Sequence, residues 1–299
     1  MNRLFYLFTL PWVAGFAGFT AFPLGYAFWL SLTNTDALAP ESRFVGAANY
    51  AEVLDDGLAG EALVRTLVFT AVTVPASVAG GLLFAVLLQL PVRGRSLYRA
   101  VLFLPAVVPP VAGALTFGAL FDRDTGAVNV LLERFGVAGP GWTDGPRLPF
   151  VIGVLVLWGL GNLMMVSLAA LADVPRDLFD AARVDGAGPL RTFTSVTLPL
   201  VSPVLLFQVV TGVIAGLQTY LPALVLGSAG AGGSLAALPE GGYFFMAHVY
   251  TRYAVAGRFG YASALLWALF VVTLLCAALM LRTTRRHVFT LTSPGGARP

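Results

Sequence analysis

The sequence contains no lysine, and all 18 of its basic residues are arginine. A Walker A phosphate loop and a Schiff-base enzyme both require a lysine, so both classes are excluded. The single cysteine, Cys276, leaves no disulfide within the chain. The two histidines, His248 and His287, are too few for a histidine-rich metal site. We therefore expect no metal, no cofactor and no enzymatic centre in this chain.

Charged residues are also scarce, at 11% of the chain against 58% hydrophobic residues. A soluble domain carries about 25% charged residues, so this composition predicts an integral membrane protein. Apolar runs of about 20 residues favour transmembrane helices over a membrane barrel. The formal charge of +3 does not indicate a nucleic-acid partner.

The hydrophobic runs predict six transmembrane helices, at about residues 4–32, 64–90, 100–121, 148–171, 200–226 and 259–281. The first run is far longer than the 7–15 apolar residues typical of a signal peptide, which is the alternative. Residues 33–63, 122–147 and 227–258 are expected to form loops. The last of these begins with the glycine-rich stretch 227–233. That stretch follows a predicted span and does not lie at the start of a helix in a βαβ unit. This context favours a flexible loop over a nucleotide site.

The distribution of arginine predicts the orientation of the chain. With six spans, eleven arginines lie on the side of the two termini and seven on the opposite side, which also holds eleven of the fifteen acidic residues. Because cytoplasmic loops carry an excess of basic residues, we expect both termini to be cytoplasmic in a multi-pass protein of the cell membrane.

The segment 173–203 is polar and lies on the predicted cytoplasmic side, between the fourth and fifth spans. Pro175 suits the first turn of a helix, and Gly186 and Gly188 can end that helix because glycine adopts left-handed backbone conformations. Pro189 then starts a second short helix. The apolar face of the first helix consists of Leu178, Phe179 and Ala182. Its charged face consists of Asp177, Asp180 and Arg183.

The pattern in this segment is Asp180-Ala181-Ala182-x-x-Asp185-Gly186-Ala187, followed by Phe193, Val196, Leu198-Pro199 and Pro203. It resembles the EAA loop of the permease subunits of bacterial ABC importers. The family usually has glutamate where this chain has Asp180, so the charge is kept and the side chain is one methylene shorter.

Further stretches resemble the first of the two permeases in the carbohydrate branch of that family. They are Phe44-Val45-Gly46 with Asn49-Tyr50, Arg99-Ala100 through Pro105, Val174-Pro175-x-x-Leu178-Phe179 and Phe259-Gly260-Tyr261-Ala262-Ser263-Ala264. The resulting division is an N-terminal helix (1–32), an extracytoplasmic loop (33–63), a five-helix permease core (64–286) with the EAA loop at 173–203, and a cytoplasmic tail (287–299).

The resemblance implies an all-α type I importer permease whose EAA loop is a coupling helix. Two such subunits would form the translocation path, with two ATPase subunits on the cytoplasmic side and an extracytoplasmic binding protein that delivers a sugar. The implied ATPase contacts are Asp180, Ala181, Ala182, Asp185, Gly186 and Ala187. A pair between Asp180 and Arg176 or Arg183 within the helix is the alternative role of that aspartate.

Polar side chains inside the predicted spans are candidates for the solute path, since they are costly in lipid unless they are buried or face a cavity. They are Asn162, Gln208, Thr211, Gln218, Thr219 and Tyr220, with Ser167 and Trp158 as further candidates. The alternative is hydrogen bonding between helices.

Three other functions remain to be weighed against sugar import. The same architecture could carry glycerol-3-phosphate or another small solute, and a phosphorylated solute would favour a buried arginine near the path. A secondary transporter would show inverted repeats and ionisable residues deep in the spans, and this chain shows little of either. An intramembrane enzyme would need a serine–histidine pair or paired aspartates within the spans.

Overall fold

The computed structural model describes residues 3–38, 41–91, 93–230, 238 and 240–284. Within them the regular structure is helical, and an isolated bridge between Thr33 and Phe44 is the only β pairing. The predicted tail at 287–299 and residues 231–233 of the glycine-rich stretch lie outside the described residues. The all-α class predicted from the apolar runs and from the resemblance is confirmed for the described part of the chain.

The helices are α1 (Arg3–Phe16), α2 (Phe22–Ser31), α3 (Ala48–Asp55), α4 (Gly57–Leu87), α5 (Arg95–Phe103), α6 (Pro110–Leu120), α7 (Ala127–Arg134), α8 (Leu148–Trp158), α9 (Gly161–Ala172), α10 (Arg176–Val184), α11 (Pro189–Thr192), α12 (Leu198–Leu217), α13 (Leu221–Gly230), α14 (Phe245–Tyr250) and α15 (Phe259–Thr284). π-helical turns join α1 to α2 and α11 to α12, and a third follows α14; a 3₁₀ turn extends α5.

Four helical stretches of the described chain are long and apolar enough to cross a membrane. They are Phe5–Ser31, Gly57–Leu87, Pro189–Leu217 and Phe259–Thr283. Two bent pairs, α5 with α6 and α8 with α9, pass the same test together, with bends of 97° and 42°. If each bent pair counts as one span, the total is the predicted six.

The bends have local causes. At the α5–α6 bend, Pro109 and Pro110 lack the N–H groups that would continue the helix, and the Pro109 backbone is extended. At the α8–α9 bend, Gly161 packs directly on the backbone of α5, where a Cβ atom would lie 2.6 Å from the carbonyl oxygen of Leu102. Only glycine allows this approach, which fixes the position of the fourth span against the third.

The structure corrects two predicted boundaries. The second span begins at Gly57 rather than Val64, because the Asp56 carboxylate accepts a hydrogen bond from the Ala59 N–H (3.1 Å) and caps the helix. The fifth run is not one helix to residue 226, since α12 ends at Leu217 and α13 begins at Leu221. Pro222 has no N–H to donate to the Gln218 carbonyl, which favours the break. The predicted loop at 227–258 therefore contains the end of α13 and the whole of α14.

Helix α4 is at the centre of the bundle and packs against α9 and α12. At Gly81 and Gly216 the neighbouring helix comes so close that an added Cβ atom would lie 2.9 Å from Leu163 and 2.8 Å from Thr70. Small residues permit such close packing of helices in membranes. Four hydroxyl residues spaced three or four apart along this helix are all buried: Thr66, Thr70, Thr73 and Ser77.

Candidate functional site

Helix α10 carries the first part of the predicted coupling segment. It begins at Arg176, with Pro175 as its extended N-terminal cap rather than in its first turn. Ala182 is buried, and Phe179 packs against the core formed by α4, α9 and α12. Asp180 and Arg183 point outward and are exposed. The predicted division into an inner apolar and an outer charged face is therefore present in the structure, although Leu178 is partly exposed.

The end of α10 is a Schellman cap, which fixes the turn that follows. Gly186 has φ +72°, its N–H donates to the Arg183 carbonyl (3.1 Å), and the Ala187 N–H donates to the Ala182 carbonyl (2.9 Å). The expectation that Gly188 is also left-handed is wrong, since its φ is −71°. It is instead the extended cap of α11, which starts at Pro189 as predicted.

The outer surface of this segment is unusually apolar for an exposed turn. Val184 is 88% exposed and Leu190 is 77% exposed, on either side of the glycine turn. Ala181 and Asp185 are also exposed, and Ala187 is partly exposed. Together α10, the turn and α11 present two large apolar side chains with carboxylates beside them. An exposed apolar patch of this kind is typical of a surface that binds a protein partner.

The Asp180 carboxylate pairs with Arg183, at 2.7 Å from Oδ1 to Nη1. This is the intrahelical pair that the sequence offered as an alternative, and both side chains remain mostly exposed. Exposed pairs at this spacing are worth about 0.2–0.5 kcal/mol. The carboxylate therefore stays available to exchange Arg183 for a cation on another protein at little cost.

Four of the predicted solute-path residues lie at breaks in the helices. Gln218, Thr219 and Tyr220 form the break between α12 and α13, and Asn162 lies in the first turn of α9, just after the α8–α9 bend. Asn162 and Gln218 are exposed. The Tyr220 ring lies 6.0 Å from that of Tyr250. The Thr219 hydroxyl donates to the Ala215 carbonyl (3.3 Å).

Gln208 and Thr211 make contacts within the bundle. Gln208 is buried between α9 and α12, where its amide nitrogen donates to the Leu163 carbonyl (2.9 Å) and lies 3.2 Å from the Ser167 hydroxyl. The Thr211 hydroxyl donates to the carbonyl of Phe207 in its own helix. Trp158 ends α8 and lies against the Phe117 ring. These geometries match the alternative role of Gln208 and Ser167 as a hydrogen-bonded link between helices.

A buried polar network lies at the start of α4, at the end of the bundle opposite the coupling segment, and the sequence did not predict it. The Asp56 carboxylate accepts a hydrogen bond from the Tyr261 hydroxyl (2.6 Å) and lies 3.2 Å from His248 Nε2 and 3.8 Å from Arg252. The His248 ring is fully buried, and its Nδ1 lies 3.0 Å from the Tyr243 hydroxyl. The network joins the cap of α4 to α14 and to α15.

Burial lowers the pKa of His248, more than the nearby Asp56 carboxylate raises it. Burial acts to raise the pKa of Asp56, but the hydrogen bonds from Tyr261 and Ala59, together with the charges of His248 and Arg252, hold that pKa below its usual range. Beside the network, Arg258 binds both carboxylate oxygens of Glu52 (2.6 and 2.7 Å), and this lowers the pKa of Glu52. Residues far apart in sequence thus hold the loop before α15 against α3 and α4.

The described residues contain no cluster of histidine, cysteine or carboxylate side chains that could hold a metal ion.

The model of one protein family, described as "Binding-protein-dependent transport system inner membrane component", matches residues 59–287.

Three relatives match between 78% and 95% of the chain. The probable ABC transporter permease protein YesP of Bacillus subtilis (strain 168) is 30% identical over 287 residues, which cover 95% of this chain and 91% of the relative. The trehalose/maltose transport system permease protein MalF of Thermococcus litoralis is 30% identical and covers 95% of this chain and 94% of its own length. The sn-glycerol-3-phosphate transport system permease protein UgpA of Yersinia pestis is 31% identical, with coverage of 78% of each chain.

The fold is similar to that of a chain in the crystal structure of a bacterial ABC transporter involved in the import of the acidic polysaccharide alginate. The TM-score is 0.77 at 19% identity, over 97% of this chain and 96% of the other. A fold that matches across almost the whole chain agrees with the family match and with the relatives. The protein is therefore a member of the family of binding-protein-dependent transport system inner membrane components, the permeases of ABC importers.

Proposed function

We propose that this chain is the permease subunit of an ATP-driven sugar importer and that its coupling segment, the EAA loop at residues 173–203, docks on an ATPase subunit. The observation that carries the proposal is the exposed α10–turn–α11 surface, with its Schellman cap and its outward Val184 and Leu190. Such a surface is costly in water and is stabilised by a partner groove. The permease of a trehalose/maltose transport system among the relatives supports a sugar as the solute.

The proposed machine contains three further kinds of subunit: a second, homologous permease, a pair of ATPase subunits and an extracytoplasmic solute-binding protein. ATP binds to the ATPase subunits, and this chain itself carries no cofactor. Closure of the ATPase pair moves the two coupling segments and tilts the spans, which opens the path outward. The rigid attachment of α10 to the core through Phe179 and Ala182 supports transmission of that movement as a rigid body.

The proposed orientation places both termini and the coupling segment in the cytoplasm. Arg95, at the start of α5, and Gln89, just after the end of α4, share one cavity with α10, so this end of the bundle is rich in arginine. Excess arginine is typical of the cytoplasmic side. The network around Asp56 and His248 then lies at the extracytoplasmic side.

For the solute path we propose the polar breaks at mid-bundle, with Asn162, Gln218, Thr219 and Tyr220 as contacts for sugar hydroxyl groups. Interrupted helices expose backbone and side-chain polar groups, and these are tolerated in a membrane where they line a water-filled cavity. The tyrosine pair formed by Tyr220 and Tyr250 offers aromatic surface beside these groups. Gln208 and Thr211 remain candidates whose hydrogen bonds are already satisfied within the bundle.

Glycerol-3-phosphate is the second candidate solute, because permeases of sn-glycerol-3-phosphate transport systems are among the relatives. A phosphate in the path calls for a cation inside the bundle. None of the arginine side chains that the structure describes is buried inside the bundle. The polar groups at the helix breaks are uncharged, which favours a neutral sugar.

The test is ATP-dependent uptake by the full complex in proteoliposomes, with its binding protein and with maltose, trehalose or glycerol-3-phosphate as solute. We expect stimulation of ATP hydrolysis by a binding protein loaded with sugar, and none when either the ATPase or the binding protein is omitted. Uptake by this chain alone, driven by an ion gradient, would overturn the proposal. Stimulation by glycerol-3-phosphate and not by sugars would select the second candidate.

A further inference from the structure

A groove between the end of α4 and the start of α5 lies beside the coupling segment and has no role in the proposed function. It has a volume of about 340 Å³ and an almost wholly apolar wall. Its lining is Phe84, Leu87, Leu88, Arg95, Tyr98, Val101 and Leu102. Leu87, Tyr98 and Val101 are largely exposed, so the groove opens on the outer surface of the bundle.

The groove is polar at one end and apolar along its depth. Arg95 is its only charged lining residue, and Val101 lies six residues further along α5, which is about 9 Å from it at 1.5 Å per residue. The apolar side chains of both helices, Phe84, Leu87 and Leu88 of α4 and its end and Tyr98, Val101 and Leu102 of α5, form the rest of the groove. This arrangement matches a lipid, which has a polar headgroup at the membrane surface and acyl chains below it.

The charge at the open end has no counter-ion in the described part of the chain. Arg95 and Arg99 make no ion pair there, and the Nε atom of each is buried without a hydrogen-bond partner. Arg95 also lines a second cavity of about 650 Å³ that contains Arg176, Arg183 and one acid, Asp180. Three arginines against one carboxylate leave an excess of positive charge that an anion would neutralise.

We infer that the α4–α5 groove binds one anionic glycerophospholipid, with its acyl chain along Phe84, Tyr98 and Val101 and its phosphate at Arg95. Basic pockets between membrane helices on the cytoplasmic side bind lipid headgroups of this charge. The inference rests on the proposed function only for the side of the membrane. The headgroup would lie next to α10, where it would also restrain the arginine that pairs with Asp180.

The experiment uses the full chain, purified with its partner subunits and freed of loosely bound lipid in a neutral detergent. Phosphatidylglycerol, phosphatidylcholine and inorganic phosphate are titrated separately, and bound species are counted by native mass spectrometry. We expect one phosphatidylglycerol per chain to be retained in preference to phosphatidylcholine. Arg95→Gln should weaken its retention about fivefold, the effect of one interfacial arginine.

Two further variants separate a lipid from other ligands. Val101→Trp fills the groove and leaves the arginines intact, so it should remove the lipid. Arg282→Gln removes an equal charge from the last turn of α15, which packs against α2, α3 and α12, and it should have no effect. Equal lipid retention in all variants would overturn the inference. Retention of inorganic phosphate by both the wild type and Val101→Trp would also overturn the inference. A partner subunit that covers the groove in the purified complex would overturn it as well.

This measurement needs neither sugar nor ATP, so its failure is distinct from failure of the proposed function. A complex that transports sugar but shows no specific lipid retains the proposed function and loses the lipid site. A chain that retains the lipid through Arg95 but supports no sugar uptake keeps the lipid site and loses the proposed function.

Discussion

His248 Nε2 lies 3.2 Å from Asp56 Oδ2, in a position where the histidine ring is fully buried and Nε2 makes no hydrogen bond. The two residues belong to α14 and to the cap of α4, and the Tyr261 hydroxyl of α15 binds the same carboxylate oxygen. Helices α14 and α15 therefore meet the cap of α4, which is distant from both in sequence, at one carboxylate. We expect this contact to make the proposed extracytoplasmic end of the bundle sensitive to pH.

We expect the folded protein to lose stability as the pH falls from about 7 to 5. The pKa of His248 is lower in the folded state than its ordinary value of about 6.5, so the unfolded chain takes up a proton first. The loss begins near the unfolded pKa and ends at the folded one, with a slope of at most about 1.4 kcal/mol per pH unit. The lowered pKa of Asp56 acts only below about pH 4, outside this range.

Thermal unfolding of the purified complex at several pH values measures this slope. His248→Gln should flatten it between pH 7 and 5. Asp56→Asn removes the charge that raises the histidine pKa, and it should extend the loss of stability to lower pH. A slope that is the same in the wild type and in both variants would show that this pair does not titrate in the range.

Gly186→Ala should weaken coupling, because the left-handed backbone at φ +72° costs an L-residue about 1–2 kcal/mol. There is open space around this glycine, so the strain comes from the backbone alone. We expect co-purification of the ATPase and ATP-driven uptake to fall by about tenfold.

Gly188→Ala is the matched control for this substitution. The residue is two positions away and is also in open space, but its φ of −71° suits alanine. Gly188→Ala should bind the ATPase and transport normally. Equal losses in the two variants would indicate that the added methyl group, and not the turn conformation, disturbs docking.

Asp180→Ala separates docking from the pair within the helix. The pair with Arg183 is exposed and contributes about 0.2–0.5 kcal/mol, so thermal stability should barely change. If Asp180 binds the ATPase, co-purification should fall severalfold in Asp180→Ala and much less in Arg183→Ala, which breaks the same pair but keeps the carboxylate. Equal effects of the two variants would assign Asp180 a purely intrahelical role.

The coupling segment could be predicted because its signals are local. Pro189 at a helix start, Gly186 at a helix end and the alternation of apolar and charged positions all act within a few residues. The error at Gly188 has a related cause, since glycine also serves as an extended cap and the sequence does not distinguish the two uses.

The network around Asp56 could not be predicted from the sequence. Asp56 and Tyr261 are 205 residues apart, and no local pattern in the sequence pairs the two side chains. The breaks in the spans differ in their causes. The sharp bend in the third span has a local signal in Pro109 and Pro110, whereas the bend in the fourth depends on the contact of Gly161 with α5. Such features depend on tertiary packing.

Gln208→Leu tests whether this glutamine recognises solute or links helices. The amide joins α9 and α12 through the Leu163 carbonyl and Ser167, and such bonds in membrane proteins contribute about 0.6 kcal/mol on average. If Gln208 is a structural link, its replacement should lower the thermal unfolding temperature slightly and leave the sugar concentration for half-maximal uptake unchanged. Thr211→Val, which removes a bond within α12 alone, should change neither quantity. A large rise in that half-maximal concentration for Gln208→Leu, without loss of stability, would instead place Gln208 in the solute path.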